Sequence, residues 1–224
     1  MGEDMPCFEF NEVSFTWPGG RTILHRQSFT LPEGGFTLVR GPSGAGKSTL
    51  LRLMNRLEES GDGEILYRGK KLRNLEPTAL RQQVAYLQQT PVIPDRSVRE
   101  ILLLPFAFRI NSGKTSPSDD ALYKMLGAVQ MDDIGLDESG IALSGGQRQR
   151  LSLLRTLVAG PRVLLLDEPT ASLDSESRRC VEDMTEAACR QGTTVVMITH
   201  DGFTPKTLPA VEITLADGRV SVCR

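Results

Sequence analysis

Eight residues near the start of the chain, "GPSGAGKS" at positions 41 to 48, have the types and spacing of a phosphate cradle. Gly41, Gly44 and Gly46 let backbone N–H groups close round phosphate oxygens with no Cβ in the way. The helix expected from "KSTLLRLMNRL" would then aim its positive end at the anion. The stretch fits GxxxxGK[ST], in which Lys47 reaches the β- and γ-phosphates of a nucleotide and Ser48 holds Mg²⁺ through its hydroxyl. The candidate nucleotide-binding set here is Gly41, Pro42, Ser43, Gly44, Ala45, Gly46, Lys47, Ser48 and Thr49. An ordinary strand-to-helix turn is the bland alternative, and the apolar strand before the loop with the amphipathic helix after it weigh against that alternative.

Two acids follow the apolar run "RVLLLDE", which places Asp167 and Glu168 at the carboxyl edge of a sheet, where open α/β proteins bind ligands. Asp167 can help hold Mg²⁺, and Glu168 can polarise an attacking water as general base. Adjacent acids after a strand also occur as mere helix-cap chemistry. His200 ends another apolar run on the same edge, where it could bind a γ-phosphate oxygen or orient the water, or serve only as a structural residue. A second glycine pair lies about a hundred residues after the first, in "LSGGQRQR" at 143 to 150. Ser144 is a good N-cap, and Gly145 and Gly146 leave the first N–H groups of the following helix open to an anion, with Gln147 next in line. One phosphate group needs one cradle, so the second requires its own explanation.

These residues need a scaffold. "FTLVR", "VLLLD" and "TVVMIT" are nearly continuous apolar runs, as strands buried on both faces of a parallel sheet are. "FEFNEVSFTW", "ILHRQSFTL" and "GEILYRG" alternate, which predicts a half-buried antiparallel flank. Residues 90 to about 142 lack strand signals, and "SVREILLLPFAFR" and "SDDALYKMLGAVQ" have helical spacing, so a helical insertion is expected; with the following helix it runs to about 158. The tail "VEITLADGRVSVC" carries a DG turn and predicts a closing hairpin. The chain of 224 residues can bury a full core, and its net charge of −2 removes the electrostatic motive for nucleic-acid binding. Cys7, Cys180, Cys189 and Cys223 show no CxxC spacing and read as packing residues in a reducing cytoplasm. No apolar signal segment opens the sequence, and no apolar run approaches the ~18 residues of a membrane span.

With "GPSGAGKS", "LSGGQRQR", "VLLLDEPTASLD" and "ITHD" in this order, the chain resembles the ATP-binding subunits of ABC transporters over almost its whole length. The resemblance implies an α/β fold of the ABC type of P-loop NTPase, with a mostly parallel core sheet, an antiparallel β flank and an inserted helical subdomain. It implies ATP and Mg²⁺ as cofactors, hydrolysis of ATP, and two ATP-binding subunits packed head to tail, a homodimer in the simplest case. In that packing Ser144, Gly145, Gly146 and Gln147 of one subunit cap the γ-phosphate held by the other. Gln89 in "YLQQTP" becomes the residue that touches Mg²⁺ or water and reports to the helical insertion, with Gln88 as the alternative. Ser172 to Asp174 would cross the dimer interface, with Asp174 as the key residue. Trp17 would stack on adenine, where the family more often has tyrosine; otherwise it packs on the core as a hairpin residue.

A membrane permease is the implied partner, with the chain held peripherally at the cytoplasmic face of the inner membrane. "ILLLPFAF" after Gln89 either shapes the groove for that partner or packs inside the insertion. "RQQVAYLQQTPVIPDRSV" and "LPFAFR" are similar to small subunits proposed for bacterial metal, in particular iron, export. The alternative class is a soluble ABC ATPase in repair, translation or cluster assembly, which often carries paired ATPase domains, coiled-coil inserts or zinc cysteines. A P-loop kinase of small metabolites leaves "LSGGQ" unexplained.

Overall fold

The computed structural model describes residues 6–171, 173–200 and 202–223. In chain order the strands and α-helices are β1 (Phe8–Thr16), β2 (Thr22–Leu31), β3 (Phe36–Arg40), α1 (Lys47–Met54), β4 (Asp62–Tyr67), β5 (Lys70–Lys71), α2 (Pro77–Gln83) and β6 (Val84–Leu87). Then come α3 (Val98–Leu103), α4 (Asp119–Gly127), α5 (Gly145–Val158), β7 (Val163–Asp167), α6 (Ser175–Arg190), β8 (Thr194–Ile198), β9 (Ala210–Ala216) and β10 (Arg219–Cys223). A four-stranded antiparallel sheet has the order β2-β1-β4-β5 and a six-stranded sheet the order β10-β9-β3-β8-β7-β6. In the larger sheet β9, β3, β8, β7 and β6 run parallel, and only β10 is antiparallel.

The continuous apolar runs are explained by burial on two faces. In β7, Val163 and Leu165 enter a core shared with α1 and the antiparallel sheet, while Leu164 and Leu166 enter another on the opposite face. Val196 and Ile198 of β8 join the first core, and Val195 and Met197 the second. Each such Leu or Val removes enough apolar area from water to contribute about 1.5–3 kcal/mol. The register Asp167↔Ile198 and Leu87↔Leu166 brings the ends of β6, β7 and β8 level, and β3 ends beside them through Val39↔Ile198. One sheet edge therefore receives the phosphate loop, both acids, His200 and the two glutamines.

Between β6 and β7 the described residues form helices, 3-10 turns and one isolated bridge between Ser97 and Ser139, around a third core that includes Ile101, Leu102, Leu122, Leu126 and Leu151. The first helix there is shorter than its spacing predicts. Pro105 has no N–H to continue the ladder and its ring opposes the carbonyl four residues back, so α3 stops at Leu103 and 3-10 turns follow. One strand lay outside the stated expectations, and one expectation needs correction. "VAYL" is a strand, β6, that alternation did not mark, and Cys223 is exposed on β10, although Cys7, Cys180 and Cys189 are buried as packing residues. Burial pushes the Cys7 thiol up to about 11, which keeps it protonated and inert.

Candidate functional site

The phosphate loop depends on two of its glycines in particular. Gly41 has φ +140°, and a Cβ there would sit 2.1 Å from the Leu215 carbonyl oxygen. At Gly46, with φ +103°, a Cβ would sit 2.1 Å from Cγ2 of Ile23. Any side chain would also meet a backbone conformation costly for L-residues. Gly46 is the N-cap of α1 and supplies no side-chain acceptor, whereas α2 to α6 are capped by Glu76, Ser97, Ser118, Ser144 and Asp174. Helix α1 is thus the one α-helix among the described residues whose first N–H groups receive no side-chain cap, which leaves them to an anion.

Lys47 is buried, and its Nζ donates at 3.0 Å to the carbonyls of Gly41 and Pro42, folded back over the loop. Burial lowers its pKa from the ordinary lysine value, and the charges of Glu168 and Asp167 oppose that shift. Ser48 Oγ donates to Asp167 Oδ1 at 2.9 Å, which ties the loop to the end of β7. Glycine-lined space and unpaired helix N–H groups fit a nucleotide triphosphate. A serine hydroxyl beside one carboxylate fits Mg²⁺, which commonly takes one or two protein oxygens and completes its shell with phosphates and water. Among the described residues no cluster of three or more His, Cys, Asp or Glu side chains could form an all-protein metal cage.

Asp167 and Glu168 diverge because Glu168 has φ +48°, a left-handed conformation that turns the chain sharply after the strand. Asp167, buried, faces Ser48 and the phenol of Tyr86, which donates to Oδ2 at 2.7 Å. Glu168 accepts from Gln89 Nε2 at 2.9 Å on one oxygen, and His200 Nε2 lies 2.8 Å from the other. The sequence-derived acids, Gln89 and His200 are therefore in one cluster. Gln88 instead donates to the Thr90 carbonyl of its own loop. Gln89 and His200 take one position on each oxygen of the carboxylate, which leaves a second lone pair on each for a water.

Ser144 and Gln147 form a reciprocal capping box at the start of α5: Gln147 N donates to Ser144 Oγ at 3.3 Å, and Ser144 N to Gln147 Oε1 at 2.8 Å. Nothing lies within 4 Å of a Cβ built at Gly145, but one at Gly146 would stand 2.5 Å from Ser177 Oγ. Gly146 therefore also serves close packing against α6. Asp174 caps that helix, accepting from Glu176 N at 3.0 Å and Ser177 N at 2.9 Å, and the Ser177 bond is the main cause of its lowered pKa. Ser172, expected beside it, lies outside the described residues. Gly145 lines a cavity of about 350 Å³ together with Gln89, Arg148, Gln149 and Leu173; none of its lining residues belongs to the phosphate loop.

Trp17 is half-buried in the turn after β1, its ring edge-on to Phe15 with centroids 5.1 Å apart. The same turn carries Arg21, whose guanidinium donates to the Gly44 carbonyl and so props the phosphate loop. Arg21 and Tyr86 escaped the sequence reading. No local pattern ties the arginine of "PGGRT" to the phosphate loop, and the tyrosine of "VAYLQQ" stands in a strand that alternation does not mark. Tyr86 also lines a groove of about 1080 Å³ beside β6, the edge strand of the large sheet. Val92, Leu104, Pro105, Phe108 and Ile110 give it apolar walls, and Arg81, Arg109 and Arg155 give it positive charge with no acidic residue among the lining. "ILLLPFAF" thus divides: Ile101 and Leu102 are core, while Leu104, Pro105 and Phe108 face the groove. Among the described residues no helix is long and apolar enough to cross a membrane.

Comparison with known proteins gives a consistent set of matches. A family model described as "ABC transporter" matches residues 24–171. The "Probable iron export ATP-binding protein FetA" of Escherichia coli (strain K12) is 36% identical over 202 residues, 90% of this chain and 88% of that protein. The "Phosphate import ATP-binding protein PstB 3" of Natronomonas pharaonis is 34% identical over 192 residues, 82% of this chain and 68% of its own. Among solved structures, "Structure of a bacterial Atm1-family ABC exporter with ATP bound" superposes with a TM-score of 0.83 at 27% identity. That match covers 99% of this chain and 39% of the exporter chain.

Proposed function

The chain belongs to the ABC transporter family as an ATP-binding ATPase subunit, and from that premise we propose that two such subunits close head to tail on ATP and drive a separate integral-membrane permease. What supports the nucleotide site most directly is the uncapped start of α1 beside the Ser48–Asp167 bond. In this reading Lys47 leaves the Gly41 and Pro42 carbonyls for phosphate oxygens, and Gly41 to Thr49 supply the backbone cradle. Ser48 and Asp167, with Gln89, would hold Mg²⁺, which neutralises charge developing on the transferred phosphoryl group when bound. Trp17, half-buried beside the loop-propping Arg21, would stack on adenine. Glu168 accepts the proton of the attacking water, while His200 and Gln89 orient it.

The second glycine pair serves the partner's nucleotide. Its start shares a cavity with the Gln89 segment, not with the phosphate loop of its own chain, which leaves Ser144 to Gln147 available across a dimer. Asp174 stands beside that helix start and would face the same interface. The helical segment from about 90 to 158 acts as a subdomain, and the groove at β6 receives the permease, so the chain works peripherally at the cytoplasmic face of the inner membrane. The cargo we assign is a metal, iron, moved outward; the support for it is the likeness to the E. coli probable iron export protein and the similarity in "RQQVAYLQQTPVIPDRSV". Substituting Glu168→Gln should retain ATP binding yet slow hydrolysis roughly 100-fold or more, the range of a lost general base. Turnover at the parental rate would remove Glu168 from that role.

A further inference from the structure

Tyr86 is shared by the groove and the acidic cluster. Tyr86 lines the groove at the edge strand, and its hydroxyl donates to Oδ2 of Asp167 at 2.7 Å. Arg52 of α1 hydrogen-bonds the phenol in turn, and Asp167 Oδ1 accepts from Ser48. The carboxylate is thus held at one oxygen by a side chain from the groove wall and at the other by the phosphate loop. Gln89 touches Glu168, a different acid, so this contact is separate from that of the glutamine.

We propose that Tyr86 is a positioning residue that transmits occupancy of the β6 groove to Asp167, and through it to the metal-holding side of the ATP site. The proposal rests on the assignments above of Asp167 to Mg²⁺ and of the groove to the permease. A helix seated against Val92, Leu104 and Phe108 confines the Tyr86 ring from its open side. A confined ring keeps the hydroxyl on Oδ2, and the carboxylate then presents its other oxygen in one orientation. An empty groove leaves the ring, and with it the carboxylate, freer to turn. Only the hydroxyl carries this link, so Tyr86→Phe breaks it while keeping the ring in the wall.

The test uses the full chain and Tyr86→Phe, with Mn²⁺ as the probe in the first arm. Mn²⁺ affinity of the ATP complex, read by electron paramagnetic resonance, should fall about tenfold, as when a partner of a metal ligand is lost, while metal-free ATP binding is unchanged. Unaltered Mn²⁺ affinity, or equal loss of metal-free ATP binding, overturns the positioning role. The second arm uses the membrane protein that co-purifies with the tagged parent chain. Tyr86→Phe should co-purify equally, but the rise in ATP hydrolysis caused by that protein should be lost or much reduced. A parental rise overturns the transmission, and failure of Tyr86→Phe alone to co-purify would make Tyr86 a docking residue instead. If no membrane protein co-purifies even with the parent, it is the permease reading that fails, and with it the transmission, while the Mn²⁺ result still decides the positioning of Asp167.

Discussion

Single residues here are constrained less by what they contact than by what cannot stand in their place. Gly46 must pass within 2.1 Å of Ile23 as counted from an imagined Cβ, at a φ of +103°. Alanine would have to push a buried isoleucine aside and adopt a strained backbone together. Gly46→Ala should therefore lower stability by about 1–3 kcal/mol, the usual range for overpacking, and the melting temperature by roughly 2–4 °C per kcal/mol. Gly145→Ala, with open space around it, should stay within about 0.5 kcal/mol of the parent. Equal melting curves for the two variants would show that the loop relaxes around a methyl group and that its glycines are not steric requirements. Glu168 presents the opposite case, a bulky residue at φ +48°, where the sharp turn sends two neighbouring carboxylates to different partners.

Helix starts are where element-scale design and site chemistry meet. Among the described residues five of the six α-helices are capped by a side chain, and α6 is capped by an acid that the sequence marks for the dimer interface. Asp174 is ionised more easily in the fold than in the unfolded chain, so its contribution is present above the unfolded value near 3.9 and is lost as pH falls through the lower folded value. The melting-temperature gap between the parent and Asp174→Ala should be full at pH 6 and should narrow below about pH 4. A gap that holds constant through acid would mean that the cap does not act through its charge. Other acids titrate in both proteins and largely cancel in the difference.

Legibility in the sequence followed burial. β3, β7 and β8 were readable because both faces are covered, and "GPSGAGKS" because chemistry fixed its spacing. β6 was missed because, at four residues, with only Val84 and Leu87 buried, it is too short to show a period. Helix α3 was overextended because apolar spacing persists through Pro105 while its hydrogen bonds cannot. Tyr86 went unread for a further reason: its two partners lie 34 and 81 positions away in the chain, and no local pattern encodes them.

At the scale of the whole molecule, the second glycine pair decides whether one chain or two make an ATP site. Lys47→Ala damages the phosphate loop and leaves the second glycine pair, the "LSGGQ" signature, whole. The complementary lesion belongs at Gly145, since an aspartate there extends into open space, whereas one at Gly146 would also strike Ser177 and disturb the packing of α5 on α6. Each variant alone should hydrolyse almost no ATP. Mixed, they can form a dimer in which one site combines the sound loop and acids of the Gly145→Asp chain with the sound signature of the Lys47→Ala chain; the other site carries both lesions. Capping across the dimer predicts partial recovery on mixing, with a rate that rises more steeply than linearly in protein concentration because the active species is a pair. Strict cooperation between sites could suppress the recovered rate, so ATP-dependent mixed dimers should be followed by cross-linking in the same samples. A signature acting within its own chain gives no intact site in any mixture, and the absence of both recovered hydrolysis and mixed dimers would refute the head-to-tail arrangement.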